Sequence, residues 1–350
     1  MSDAPLTALL ATLPRPTVAI DADERILALN GGAQMLLGQG ALGRHYITVL
    51  RQPALVAAVE HCAQDDLPRV VPFLSGDPAL ENTYDVHLQR VSAGGPVILS
   101  FRDVTERAEA GQMRRDFVAN VSHELRTPLT SLMGFIDTLR GPAKDDAAAR
   151  DRFLGIMATE AERMNRLVGD LLSLSRVEVD ERVRPTTQVD LGGLIYATIR
   201  NIKPIADEAN VGIVSDLGSG PLQLMGDPDQ LQQVFSNLIE NAIKYGGRDK
   251  RINVTAQMLH HDRAMRGPAI QITVTDQGPG IDAHHLPRLT ERFYRADSHR
   301  SRALGGTGLG LAIVKHILNR HRGRLKVTSD PGNGAQFTVT LPCDTDHVTA

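Results

Sequence analysis

The sequence is poor in the residues that mark secreted or membrane-spanning proteins. Its 350 residues contain no tryptophan, 4% aromatic residues and two cysteines, Cys62 and Cys343. Two distant cysteines make neither a disulfide framework nor a zinc site, so a reducing cytoplasmic compartment is expected. No apolar run approaches the roughly 20 residues that span a bilayer. The N-terminus has no basic start, which argues against a secretory signal, so membrane attachment would require an anchor upstream of this chain.

The charge is nearly balanced, with 38 basic and 41 acidic residues and a net charge of −3. Proteins that bind nucleic acid without sequence preference usually carry a strong basic excess, so nucleic acid is not an expected partner. The length predicts two or three domains, each long enough to bury a core of its own.

Residues 9–104 have the pattern of a small mixed domain. The stretch PTVAIDADERILALN predicts two strands around a turn at Asp21 to Glu24. GGAQMLLG and ALVAAVEHCAQ predict short helices, and YDVHLQRV and PVILSFRDV predict two further strands. Because the segment has no cluster of catalytic residue types, we interpret it as a sensor or docking module.

Residues 105–180 change to a helical period. Val118, Leu125, Leu132 and Leu139 recur every seven residues, and RGPAKDD interrupts the pattern before a second apolar series begins. Two amphipathic helices joined by this turn make a hairpin, which cannot bury both apolar stripes by itself. Pairing two hairpins into a four-helix bundle would cover them, so we expect a homodimer. Packing of the hairpin on other parts of the same chain is the alternative.

Residues 188–343 return to a mixed pattern. LGGLIYATIRNIKPIADEA, DPDQLQQVFSNLIENAIKYG and LGLAIVKHILNRHRG predict helices; Asp227 caps the second and Gly323 closes the third. RINVTAQ, AIQITVTDQG, GRLKVTSD and AQFTVTLP predict strands, the last two joined by the hairpin turn DPGNG. This order favours one sheet with helices on one face over an alternating parallel sheet.

His123, in FVANVSHELRTPL, is the first candidate for chemistry. A helical projection places it opposite Val118 and Leu125, on the polar face that also carries Thr127. A neutral imidazole held there can attack a phosphorus atom, and Glu124 can accept the proton of its other ring nitrogen. Taken alone, this pattern is more typical of a solvated helix face than of a catalytic site.

Three later stretches indicate a nucleotide. In NLIENAIKY, Asn237, Asn241 and Lys244 form a polar row whose amide oxygens suit Mg²⁺ and whose ammonium suits phosphate. In DQGPG, one carboxylate beside two glycines can accept from an exocyclic amine. GGTGLGLAIVK opens a helix with free backbone N–H groups, without the strand that a Rossmann motif requires. The intervening ERFYRADSHRSRALGG predicts a mobile lid or, alternatively, a solvated basic loop.

Together these stretches resemble, in order and approximate spacing, the H, N, G1, F and G2 boxes of two-component sensor histidine kinases. The resemblance covers about Arg114 to Pro342, and within the family it is strongest to phosphate-regulon sensor kinases. It implies a multidomain α+β fold: a PAS-like domain, a dimeric four-helix bundle and an α/β-sandwich ATP-binding domain of the gyrase and Hsp90 type. It also implies ATP and Mg²⁺ as cofactors and a response regulator receiver domain as partner.

The resemblance assigns roles residue by residue. His123 corresponds to the phospho-acceptor, Glu124 to its acid/base neighbour and Thr127 to a phosphatase residue. Asn241 corresponds to the Mg²⁺ ligand and Asp276 to the adenine-reading carboxylate. The other nucleotide-binding positions it implies are Asn237, Lys244, Tyr245, Gly278, Gly280, Phe293, Arg295, Gly306, Thr307, Gly308, Leu309 and Gly310.

Two other functions use the same features. A gyrase-type or Hsp90-type ATPase would hydrolyse ATP in the same pocket without needing His123. A non-catalytic adaptor would bind a response regulator through the helices without binding nucleotide.

Overall fold

The computed structural model describes residues 3–76, 82–181, 183–218, 220–247, 249–297 and 306–343. The chain divides into two compact units, residues 1–119 and 120–350. In the described ranges, none of the helices combines the length and the apolar character needed to cross a bilayer.

The first unit is built around one antiparallel sheet. Its strands are β1 (Thr17–Ile20), β2 (Ile26–Leu29), β3 (Arg69–Leu74), β4 (Thr83–Arg90) and β5 (Val97–Asp103), in the order β2-β1-β5-β4-β3. Its helices are α1 (Asp3–Ala11), α2 (Gly31–Leu37), α3 (Tyr46–Val49) and α4 (Pro53–Asp65). Helix α4 packs against β3, β4 and β5. Alternate residues of β4 and β5 are therefore buried beneath it.

The four strands and two helices predicted for this unit are present. The predicted turn after Asp21 is closed by the Asp21 side chain, whose Oδ1 accepts from Arg25 N at 2.8 Å. Strand β3, which contains Pro72, was not predicted. The structure places β3 at the sheet edge, where a residue without an N–H is tolerated.

Two long helices follow, α5 (Thr105–Arg140) and α6 (Ala147–Asp180). Helix α5 continues through Pro128, and Asp146 caps α6 by accepting from Ala149 N at 2.9 Å. The helices leave a set of large apolar side chains between 39% and 59% exposed. The set comprises Met113, Val118, Leu129, Met133, Ile136, Leu154, Ile156, Val168 and Leu172. Phe135 of α5 stacks on Phe153 of α6 with ring centroids 5.2 Å apart, so the two helices form an antiparallel hairpin, as predicted.

The remaining elements form an α/β sandwich. Strands β7 (Gly212–Asp216), β9 (Arg251–Asp262), β10 (Gly267–Thr275), β11 (Arg324–Ser329) and β12 (Ala335–Pro342) make a sheet in the order β11-β12-β10-β9-β7. Strands β6 (Thr187–Asp190) and β8 (Gln223–Gly226) pair separately. The helices are α7 (Leu191–Glu208), α8 (Pro228–Gly246) and α9 (Gly310–Arg320).

One face of this sheet carries the core. Ile272 lies beside Val339 and Val274 beside Phe337 across the β10–β12 pair, and all four are buried. The intervening Gln271 and Thr273 are less buried, as the two-residue period of a strand requires. Helices α8 and α9 contact this sheet, so the predicted arrangement of helices over a single sheet is confirmed. The short strands β6, β7 and β8 were not predicted.

The helix ends show one correction. Asp227 caps α8 as predicted, accepting from Gln230 N at 3.2 Å. Helix α9 ends at Arg320, and Gly323 N donates to Leu318 O at 2.7 Å. However, the left-handed residue is Arg322, with φ of 54°, and not Gly323. The glycine is required for space instead, because a Cβ there would lie 2.7 Å from Leu341 Cδ2.

Candidate functional site

A cleft of about 530 Å³ opens between α8, the end of β10 and the start of α9. Its volume falls within the range that small-molecule and nucleotide sites occupy. Most of the residues predicted to bind nucleotide line it: Asn237, Asn241, Lys244, Tyr245, Asp276, Gly280, Arg295, Gly306, Thr307, Gly308 and Gly310. Residues 298–305 of the predicted lid lie outside the described residues.

Helix α8 supplies the polar wall of the cleft. Its apolar face, including Leu231, Phe235 and Leu238, is fully buried, which fixes the rotation of the helix and turns Asn237 and Asn241 toward the cleft. Asn237 Nδ2 is buried and has no hydrogen-bond partner among the described residues. Lys244 Nζ donates to Glu240 Oε2 at 2.8 Å. An unpaired buried amide is costly, so this wall is suited to a polar ligand.

Asp276 lies at the base of the cleft, directly after β10, and is 6% exposed. Its Oδ1 accepts from Gly278 N at 2.8 Å and from Ala335 N at 3.2 Å. No described donor is bonded to Oδ2, which therefore remains available to a ligand. Burial raises the pKa of this carboxyl above its usual value, against the lowering effect of the two backbone N–H groups.

Two glycines of the cleft have conformations and neighbours that exclude a side chain. Gly280 has φ of 75°, and a Cβ there would lie 2.1 Å from Asp330 O. Gly308 has φ of 74°, and its Cβ would lie 2.9 Å from the Phe293 backbone. The close approach of backbone segments at these points is what shapes the cleft.

Three predicted nucleotide-binding residues do not line the cleft but support it. Gly278 holds Asp276 through its backbone N–H, and a Cβ there would lie 2.7 Å from Tyr245 O. Phe293 N donates to Gly308 O at 2.8 Å. Leu309 is fully buried in the core before α9. Gly278 and Phe293 hold the loops of the cleft walls through backbone hydrogen bonds, and Leu309 anchors the start of α9 in the core.

His123, Glu124 and Thr127 lie on α5, outside the cleft lining. His123 is exposed, as the helical projection predicted. Thr127 Oγ1 donates to His123 O at 3.1 Å, within the helix. The Glu124 carboxylate is bonded to arginines and not to the His123 ring: it accepts from Arg295 Nη2 at 3.0 Å and from Arg163 Nη2 at 3.2 Å.

Arg295 links the two regions, because it lines the cleft and also contacts α5 through Glu124. Its side chain is 7% exposed. The ends of this ion pair are 171 residues apart in the sequence, so the contact depends entirely on tertiary structure.

Helix α6 contributes functional candidates that the sequence reasoning missed. Arg166 and Asp170 line the cleft, and Asp170 Oδ2 accepts from Thr307 Oγ1 at 2.7 Å. Burial raises the pKa of the Asp170 carboxyl. Residues 163, 166 and 170 follow helical spacing on one face of α6, so a search for polar residues inside its apolar pattern would have found them.

Two protein families match the chain. The family described as "His Kinase A (phospho-acceptor) domain" matches residues 113–179. The family described as "Histidine kinase-, DNA gyrase B-, and HSP90-like ATPase" matches residues 226–345. The first covers most of α5 and α6, and the second covers the cleft residues of α8, of the end of β10 and of the start of α9.

Curated relatives match over the same part of the chain. The phosphate regulon sensor protein PhoR of Pseudomonas aeruginosa is 42% identical over 245 residues, covering 69% of this chain and 53% of PhoR. The sensor-like histidine kinase SenX3 of Mycolicibacterium smegmatis is 38% identical over 240 residues, covering 69% of this chain and 60% of SenX3. The chain therefore spans little more than half the length of these relatives.

A solved structure of histidine kinase ThkA in complex with response regulator protein TrrA has a similar fold. Its TM-score is 0.54 at 22% identity, covering 96% of this chain and 98% of that one. At this identity the similarity concerns the fold alone. The two family matches and the sensor-kinase relatives show that the chain belongs to the sensor histidine kinases of two-component systems.

Proposed function

We propose that this chain is an ATP-dependent autokinase that phosphorylates His123. The observation that carries the proposal is the combination of an exposed histidine on α5 with an ATPase-family cleft lined by Asn241 and Asp276 in the same unit. Asp276 Oδ2 accepts from the exocyclic amine of adenine, and the N-terminus of α9 with its glycines faces the phosphates.

In the reaction, a neutral ring nitrogen of His123 attacks the γ-phosphorus of ATP. A P–N bond forms, the bond from the γ-phosphorus to the bridging oxygen breaks, and ADP leaves with that electron pair. The proton on the other ring nitrogen passes to a carboxylate, for which Glu124 is the nearest candidate. Because Glu124 is bonded to Arg295 and Arg163, this step requires the carboxylate to turn from the arginines toward the imidazole.

The cleft also fits a Mg²⁺ ion that accompanies the nucleotide. The amide oxygen of Asn241 would hold the ion, with Asn237 beside it, since amide oxygens are hard ligands. The unpaired buried atom of Asn237 is Nδ2, a hydrogen-bond donor, which suits a phosphate oxygen beside the ion. A bound Mg²⁺ would neutralise charge on the phosphate oxygens during transfer.

We further propose that the chain acts as a homodimer. The exposed apolar residues of α5 and α6 would be covered by the same surface of a second copy, which gives a four-helix bundle. The match to the phospho-acceptor family supports this assignment.

Downstream of His123, the phosphoryl group passes to an aspartate of a response regulator. ThkA, which is similar in fold, was solved with response regulator TrrA, and this supports a partner of that class. Thr127, one turn from His123, would orient a water for the reverse, phosphatase reaction. A role in phosphate-starvation signalling is supported by the identity to PhoR. We also propose that the first unit is a PAS-like sensor module.

The proposal is tested with γ-labelled ATP and Mg²⁺. We expect the wild type to acquire a label that is labile in acid and stable in base, as a phosphoramidate is. His123→Gln and Asn241→Ala should each remove it, the first while still binding nucleotide. His61→Gln is the matched control, because His61 is also an exposed helical histidine.

The outcomes separate the alternatives. ATP hydrolysis that continues unchanged in His123→Gln, with no protein-bound label in the wild type, would indicate a gyrase-type ATPase. Absence of nucleotide binding in the wild type would indicate a non-catalytic adaptor.

A further inference from the structure

A second group of potential ligands lies at the rim of the nucleotide cleft, in the loop after β10. Asp282, His284 and His285 each offer one ligand atom, and these atoms all lie within 4.8 Å of one another. In the part of the chain that the structure describes, no other group of three histidine, cysteine or carboxylate side chains converges in this way.

The backbone brings these three residues together through a tight turn. His285 N donates to Asp282 O at 2.9 Å, and Leu286 N donates to Ala283 O at 3.2 Å. The rings of His284 and His285 lie beside each other, with centroids 3.7 Å apart. Asp282 and His284 are exposed and His285 is half-buried. Small rotations of exposed side chains can therefore bring the ligand atoms to the roughly 3.4 Å separation of a tetrahedral zinc site.

His285 is held in an orientation that is typical of a metal ligand. Its Nδ1 lies 2.6 Å from the hydroxyl oxygen of Tyr294, which leaves Nε2 for a metal. The guanidinium of Arg288 stacks on the Tyr294 ring at 4.2 Å from its centroid and fixes the tyrosine in turn. Metal-binding histidines usually have such an outer hydrogen bond on the second ring nitrogen, and it sets the tautomer.

We propose that Asp282, His284 and His285 form a binding site for a divalent transition metal ion of the Zn²⁺ class. Two imidazoles and one carboxylate supply three ligands, and water completes the coordination. Asp282 and His285 also line the nucleotide cleft. Bound metal therefore changes the affinity for nucleotide, and bound nucleotide changes the affinity for metal by the same factor. This coupling rests on the proposed function, whereas binding of the metal ion alone does not.

The chain contains a matched control for the composition of this site. His260, His261 and Asp262 at the end of β9 also combine two adjacent histidines with an aspartate, but their ligand atoms do not form such a group. Both histidines are exposed. If histidine content alone bound the metal, the two clusters would bind equally.

The test is calorimetric titration of the full chain with Zn²⁺ in the absence of nucleotide. We expect one high-affinity equivalent in the wild type and in His260→Asn/His261→Asn, and loss of that equivalent in His284→Asn/His285→Asn. Tyr294→Phe should bind about tenfold more weakly, because the outer hydrogen bond is lost. Since no turnover is measured, the result is independent of whether the chain is a kinase.

Retention of the equivalent in His284→Asn/His285→Asn would overturn the proposal, and so would equal losses in both double variants. Asp282→Asn, at an exposed position, provides a second variant if the double variant does not fold. It should weaken Zn²⁺ binding, and an unchanged titration would also overturn the assignment.

Discussion

Asp276→Asn is expected to weaken nucleotide binding strongly without unfolding the protein. In the wild type a single oxygen, Oδ1, accepts from Gly278 N and Ala335 N. Asparagine keeps that oxygen in place, so both backbone bonds remain. The change falls on the other side-chain atom, where an acceptor for the adenine amine is replaced by an N–H donor.

The magnitude follows from the two hydrogen-bond terms. Loss of a hydrogen bond to a charged group costs about 1.5–3 kcal/mol. Placing the asparagine N–H against the adenine amine, so that two buried donors face each other, costs about 1–3 kcal/mol more. The sum corresponds to a roughly 10²-fold to 10⁴-fold weaker affinity for ATP. The free energy of unfolding without nucleotide should fall by no more than ~1 kcal/mol, since both backbone hydrogen bonds are kept.

The assay is titration with a fluorescent ATP analogue, together with chemical denaturation of the same samples. The pH dependence gives a second signature. Because burial raises the pKa of Asp276, this carboxyl favours the folded state most at low pH, and its contribution is lost as pH rises through the raised pKa. Nucleotide affinity has the opposite trend, weakening as pH falls through that pKa, and the variant should show neither slope. If the ATP affinity of Asp276→Asn lies within about threefold of the wild-type affinity, Oδ2 of Asp276 does not accept a hydrogen bond from the nucleotide.

Arg295→Met and Glu124→Gln should each destabilise the second unit. Because the Arg295 side chain is only 7% exposed, a double-mutant denaturation cycle should give a coupling energy of about 1–3 kcal/mol. Additive effects of the two substitutions would contradict a direct ion pair. Gly280→Ala should lower stability by more than ~1 kcal/mol in thermal denaturation, because φ is 75° and a Cβ would lie 2.1 Å from a backbone oxygen. Gly220→Ala is the control and should be neutral, because a Cβ at Gly220 would lie in open space. Burial lowers the pKa of His321. The free energy of unfolding should therefore decrease as pH falls below about 6.5 toward that lowered pKa. In His321→Gln the free energy of unfolding should depend less on pH over the same range.

The secondary structure could be predicted where local periodicity determines burial. The apolar spacing of Leu231, Phe235 and Leu238 specifies both the helix and its rotation, so the position of Asn241 in the cleft followed from sequence. The same reasoning placed His123 on the exposed face of α5.

Contacts between distant segments could not be predicted in this way. Glu124 was predicted to accept a proton from His123, and no local pattern indicated that Arg295 and Arg163 bind its carboxylate. The hydrogen bond between Asp170 and Thr307 could not be predicted for the same reason, because the two residues are 137 positions apart. Periodicity specifies which face of an element is buried, but it does not specify which charged side chain of another element lies opposite.

In the proposed reaction, His123 receives the γ-phosphoryl group from ATP bound in the cleft. The most direct measurement is mass-spectrometric mapping of the phosphorylated residue after incubation with ATP and Mg²⁺, with digestion kept at alkaline pH. We expect phosphohistidine on the wild-type peptide that contains His123, and no phosphohistidine in Asn241→Ala. A phosphoryl group on another residue, or none on a protein that binds ATP, would contradict the proposed reaction.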